Sequence, residues 1–140
     1  MTNSALRLHQ QVIQIQTTGK SLCQITAPVR AVVTESQITT GLCHLFIRHT
    51  SASLLIQEHD AKPDVEAFFA QLVPETGNYL LEGEGLDDMP AHIRSALTQT
   101  SEQIPVAQNN LTMGRLQDIY LWEHRQSPHS REVIISVLGY

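Results

Sequence analysis

The chain has 140 residues, of which 41% are hydrophobic, 5% aromatic and 16% charged. That is one globular domain, neither disordered nor fibrous. Fourteen acids against nine bases leave a net charge of −5, and no basic run occurs, so the phosphate-neutralising face of a nucleic-acid binder is missing.

The elements follow in chain order. Residues 8–17 read as a strand centred on Val12, Ile13 and Ile15, and 22–25 as a second, short one. Thr26-Ala27-Pro28 has the form of a helix start, with a hydroxyl cap and a first-turn proline. Val29, Val32 and Val33 then keep helical spacing. A turn is expected at 39–41. Residues 42–49 are the clearest strand, with Leu45 and Ile47 on one face and Phe46 on the other. Residues 51–56 continue extended. Pro63 opens a helix whose Val65, Phe68, Phe69, Leu72 and Val73 form an apolar stripe. Residues 74–88 have no period and are rich in glycine and acids. Asp88 is placed to cap a helix to about Gln99, with Ile93 and Leu97 inward. Residues 104–107 form a short strand, and Asn109-Asn110 a turn that tolerates left-handed backbone. Residues 116–124 and 132–138 are strands read as a hairpin about Ser127-Pro128-His129-Ser130.

The strands cluster instead of alternating with helices. The expected class is therefore α+β, a single compact domain over 1–140, mainly antiparallel sheet or sandwich with about three short helices. The first strand and the last hairpin are polar on one face and read as edges that meet another subunit. No segment approaches the ~18 consecutive apolar residues of a membrane span. Residues 1–4 do not start a signal peptide. Cys23 and Cys43 read as free thiols, so a cytoplasmic location is expected.

Seven histidines are the first hint of chemistry. His49 ends the clearest strand, next to the hydroxyls of Thr50, Ser51 and Ser53. The plainer alternative is a histidine that organises the strand break. His92 follows Asp88 by four residues in a first helical turn. That helix end disfavours a protonated ring, and a neutral imidazole ligates metals or acts as a base. Glu123 shares strand parity with Gln117, Ile119 and Leu121, and a carboxylate on an apolar face needs a partner or a cation. The alternative is an edge-strand glutamate in solvent. Arg48, Arg94, Arg115, Arg125 and Arg131 are scattered candidates for anion clamps. No nucleophile elbow, P-loop or dinucleotide fingerprint is present.

Several strings, taken together, carry a resemblance. They are His49-Thr50-Ser51-Ala52-Ser53-Leu54, Pro63-Asp64-Val65, Glu82-Gly83-Glu84-Gly85-Leu86-Asp87-Asp88-Met89-Pro90-Ala91-His92-Ile93, Ile104-Pro105-Val106, Gly114 with Gln117, and Ile119-Tyr120-Leu121-Trp122-Glu123. In order and spacing the chain resembles the secondary thiamine-phosphate synthase family, also called YjbQ-like. The resemblance implies a sheet-rich α+β fold, a homotrimer, and a small-molecule site near His49, His92 and Glu123. It implies weak coupling of a pyrimidine pyrophosphate to a thiazole phosphate. It further implies a divalent metal ion, zinc or magnesium, with His49, His92 and Glu123 as ligands. His49, Asp88, Gln117 and Glu123 are the expected catalytic residues. Thr50, Ser51, Ser53 and Arg115 are the expected substrate-binding ones.

Two departures stand out. Relatives read Gly-Thr-Trp-Gln where this chain has Gly114-Arg115-Leu116-Gln117, which implies a smaller and more basic pocket. Around Glu58-His59-Asp60-Ala61-Lys62-Pro63 this chain is one residue longer, and Lys62 stands near the expected acid. Two other readings stay open: a metal-dependent hydrolase or lyase on a small phosphorylated metabolite, and a non-catalytic trimeric module that binds a metal or ligand.

Overall fold

The computed structural model describes residues 5–80 and 84–140. Glu82-Gly83 of the acidic motif and the amino-terminal four residues lie outside the described residues. Among the described residues the strands are β1 (Arg7–Gln16), β2 (Ser21–Gln24), β3 (Thr40–Ile47), β4 (Ala52–Glu58), β5 (Ser101–Ala107), β6 (Asn110–Leu111), β7 (Gln117–Glu123) and β8 (Ser130–Gly139). The helices are α1 (Thr26–Ser36), α2 (Lys62–Leu72) and α3 (Asp88–Leu97), with a short 3-10 turn at His59–Ala61. No helix among them is long and apolar enough to cross a membrane.

The α+β expectation holds, and it takes the form of a sandwich. One sheet runs β1-β8-β3-β5-β6, the other β2-β7-β4, and every pairing is antiparallel. Alternation sends Leu45, Ile47, Val133, Ile135 and Val137 inward from the larger sheet. They meet Leu54, Ile119 and Leu121 from the smaller one, and Val29, Val32 and Val33 of α1 join the same core. A second cluster, Leu22, Tyr120 and Trp122, lies on the other face of the small sheet under Val65 and Phe69 of α2.

Several expectations need correction. The last two strands are not a hairpin pair. Both edges of β7 are taken by β2 and β4, and both edges of β8 by β1 and β3. Of the two supposed edges, only β1 is one. Glu123 is therefore not an edge residue in solvent. Thr26 does not cap α1: its hydroxyl donates to Asp118 Oδ1 and accepts from the Ile119 amide, which ties the helix start to β7. The α2 stripe is only half used, since Phe68 and Leu72 stay 60% and 52% exposed. The small sheet is narrow, because β2 pairs over just four residues, and the helix finds apolar surface for one strip only. In α3, Leu97 is exposed, and the buried residues are Asp88, Pro90, Ala91, Arg94 and Ser95. The periodicity counts apolar side chains, whereas this helix packs polar ones, as when Ser95 Oγ donates to the Ala52 carbonyl.

The link from β1 to β2, the link from β3 to β4 and the link from β7 to β8 all cross between the sheets, and all do so at one end of the sandwich. Gln16 pairs with Ser130, while Ser21 and Ala52 both pair with Glu123. At the other end the sheet needs close backbone approach. Gly41 faces Gly139 across the β3–β8 pair, and a Cβ on Gly41 would lie 2.0 Å from the Leu138 carbonyl oxygen. The turn expected at 39–41 is thus the start of β3. Gly41→Ala is expected to lower stability by about 1–3 kcal/mol, as overpacking does, read as a fall in Tm; an unchanged Tm would show that the strands part without cost.

Candidate functional site

Glu123 anchors the end where the three crossings meet. It is the last residue of β7 and faces inward like Ile119 and Leu121, with no exposed surface. Its Oε1 accepts Thr17 Oγ1 at 2.7 Å and Arg131 Nε at 2.8 Å. Its Oε2 accepts the Arg125 amide at 3.1 Å and Arg131 Nη2 at 2.5 Å. Burial alone would raise its pKa. The bonds from Arg131, Thr17 and the Arg125 amide outweigh that and hold it below the ordinary carboxylate value. Each crossing supplies a donor to this network: Thr17 from the first, Ser51 (bonded by Arg131 Nη2 at 3.0 Å) from the second, and Arg125 and Arg131 from the third.

His49 stands in front of this pair. Its Nε2 accepts the Glu132 amide at 3.0 Å, and its Nδ1 lies 3.5 Å from Arg131 Nη1. Both neighbours are donors. Desolvation, then the Arg131 charge, lower its pKa from the ordinary histidine value. A neutral ring that accepts at Nε2 carries its proton on Nδ1.

His92 has the opposite surroundings. Its Nδ1 is 2.9 Å from the Thr50 carbonyl, and its Nε2 is 3.2 Å from Asp88 Oδ1. Asp88 is thus a ring partner, and it also accepts Arg125 Nη1 at 3.0 Å. Arg125 holds Asp87 through Nε at 3.0 Å and the Glu84 carbonyl through Nη2. Bonding to Asp87, followed by the charges of Asp87 and Asp88, raises the Arg125 pKa against its desolvation. The acidic segment is therefore clamped onto the third crossing.

His49, Thr50 and Thr100 are shared by two halves of one open groove. The half bounded by Arg48, Ser51 and Arg131 encloses about 530 Å³. The half bounded by Met89, His92, Ser95 and Ala96 encloses about 520 Å³. Thr100 is placed there because the α3–β5 link bonds both sheets, Gln99 to the Leu54 amide and Thr100 to the Ile47 amide.

The structure does not bring the remaining expected residues to this groove. Ser53 is fully buried on the opposite face of β4, where its Oγ lies 2.8 Å from His124 Nε2. Gln117 begins β7, roughly 20 Å of strand from Glu123 at ~3.3 Å per residue, and its Oε1 accepts the Gly114 amide. Arg115 is exposed beside it. Sequence reasoning left Arg131 and Arg125 among scattered cations. Arg131 had a readable signal, since it shares parity with Val133, Ile135 and Val137. Arg125, beyond the end of β7, had none.

The expected metal set does not fit. Both Glu123 oxygens are filled, both His49 nitrogens face donors, and no group of three or more His, Cys, Asp or Glu among the described residues is arranged to hold a metal. His92 with Asp88 is the one expected pair in contact.

The fold and groove define a two-sheet α+β domain with a histidine- and arginine-lined cleft. The chain belongs to the UPF0047 protein YjbQ-like family, whose description matches residues 11–140. A UPF0047 protein of Synechocystis sp. is 55% identical over 140 residues, covering 97% of this chain and 95% of that protein. The UPF0047 protein YjbQ of Escherichia coli O157:H7 is 42% identical over 106 residues, covering 74% and 77%. A YbjQ-like protein of unknown function from Sulfolobus solfataricus shares the fold with a TM-score of 0.91 at 22% identity, covering 97% of this chain and 100% of that one. A YjbQ/UPF0047 protein from Clostridium acetobutylicum gives 0.83 at 27%, covering 91% and 98%.

Glu123→Gln should cost about 3–5 kcal/mol, because it strands a buried guanidinium. Joint replacement with Arg131→Met should recover most of it in denaturant titration, and equal losses in the single and double variants would contradict the pairing. A second expectation concerns His124. It is 1% exposed, and burial followed by the Arg94 charge pushes its pKa down to about 3. The unfolded chain protonates first, so stability is full above the ordinary histidine value near 6.5 and falls toward pH 3, at up to about 1.4 kcal/mol per pH unit. His124→Gln should flatten that limb of the Tm–pH curve.

Proposed function

We propose that the groove carries out secondary thiamine-phosphate synthase chemistry, in which a pyrimidine pyrophosphate and a thiazole phosphate are joined and pyrophosphate is released. One observation carries the reading: His49, His92 and Arg131 come from three separate segments and converge on one groove. The reaction requires charge on a departing pyrophosphate to be stabilised. Arg48 and Arg131, with the hydroxyls of Thr50 and Ser51, lie on the side that suits it. His49 offers Nδ1–H to the same group. The buried Glu123 acts behind the groove by orienting Arg131. Any divalent ion belongs to the pyrophosphate and not to ligands of this chain, since the expected ligand set is already satisfied.

A metal-dependent hydrolase or lyase is the second reading. It is favoured by His92, whose Nδ1 bond to a backbone carbonyl is the usual support of a metal-bound imidazole. Pyrophosphate release from the two substrates, with and without magnesium, tests the first reading. His49→Ala is expected to reduce release at least ~100-fold while Tm moves by only a few degrees. Release that survives in the variant would refute the role of His49.

The same reading makes the chain a homotrimer. The outer face of the larger sheet carries two aligned apolar rows, Leu8-Leu138-Leu42 and Val12-Ile134-Phe46. These side chains are partly exposed in the single chain, which supports burial against other copies. Sedimentation should report three times the 15.6 kDa chain, and Leu42→Lys should shift the mass downward; a wild-type monomer would exclude the assembly.

A further inference from the structure

The two halves of the groove differ in chemistry, and that difference specifies a ligand. In a chain of net charge −5, none of the eight residues lining the Arg131 half is acidic. Two guanidiniums, one imidazole and three hydroxyls are among them. Arg131 is neutralised from behind by Glu123, while its Nη1 edge points past His49. Arg48 meets Glu132 at the rim at 3.3 Å, an exposed pair of small worth that yields readily to a stronger anion. A multi-oxygen anion matches this half. The other half takes its walls from Met89 and Ala96 and the methyl groups of Thr50 and Thr100. Beyond the shared His49, its one titratable group is His92, turned toward Asp88.

From this we propose that the groove selects a monophosphate ester of a small apolar ring, with the phosphate against Arg48, Arg131 and His49 Nδ1–H and the ring against Met89 and Ala96. Because the halves share His49, Thr50 and Thr100, head and ring are adjacent, and a long linker does not fit. The inference rests on the groove being the functional site and deepens that reading by orienting its ligand. It requires no metal.

The test is calorimetric titration of chelator-treated protein with inorganic phosphate, phenyl phosphate and phenol. Phenyl phosphate is expected to bind at least about ten-fold tighter than phosphate. Arg48→Gln, at an exposed position, should weaken both phosphates about ten-fold with Tm unchanged. Ala96→Phe should erase the advantage of phenyl phosphate over phosphate. Phenyl phosphate no tighter than phosphate, binding only after magnesium is added, or affinities indifferent to Arg48→Gln would each overturn the proposal. Turnover that dies in His49→Ala without phenyl phosphate binding would refute this orientation and leave the synthase reading standing. Binding as expected with no pyrophosphate release would do the reverse.

Discussion

A carboxylate with no exposed surface has to be answered by a cation, and here the answer joins three chain crossings. Glu123 ends β7, Arg131 opens β8, and between them the chain leaves one sheet for the other. Their two parallel bonds fix the angle of that corner. Thr17 and Ser51 draw in the other two corners. Continuum reasoning gives a buried pair little net stability against an apolar replacement. Its value here is geometric, because a corner held by directional bonds presents His49 at one orientation where an apolar corner would not.

The groove inherits its electrostatics from this arrangement. Arg131 spends Nε and Nη2 on Glu123 and keeps Nη1 toward the cleft. His49 sits between that edge and a backbone amide, so donors crowd it and it stays neutral. His92 lies between two acceptors, one of which is held by Arg125. Arg125 also donates its amide to Glu123, so both imidazoles connect to one carboxylate from opposite sides. A cleft with a donor-rich half and an apolar half follows without a metal centre.

Much of this was legible in residue order. Period-two runs predicted β1, β3, β7 and β8 within a few residues, and Val29, Val32 and Val33 predicted the buried side of α1. Glu123 was recognisable as an anomaly, because a carboxylate on an apolar face demands a partner. The partner was harder to see. Arg131 has the same inward parity, yet parity names a face and not a neighbour. Ser53 was grouped with Thr50 and Ser51 by adjacency, although alternation along β4 sends it to the opposite face and to His124. Gln117 and Glu123 share a face but are separated by the length of the strand.

The sequence by itself determined the elements, the inward faces and the family, because these depend on local periodicity and on strings of neighbouring residues. Tertiary structure alone decided that β7 and β8 part into different sheets, that Arg131 answers Glu123, and that His49 and His92 share Thr50. Those facts depend on which strand edges are already occupied and on where corners cross the sandwich. Both are set by contacts between residues as far apart as Thr17 and Glu123, and no local pattern encodes them.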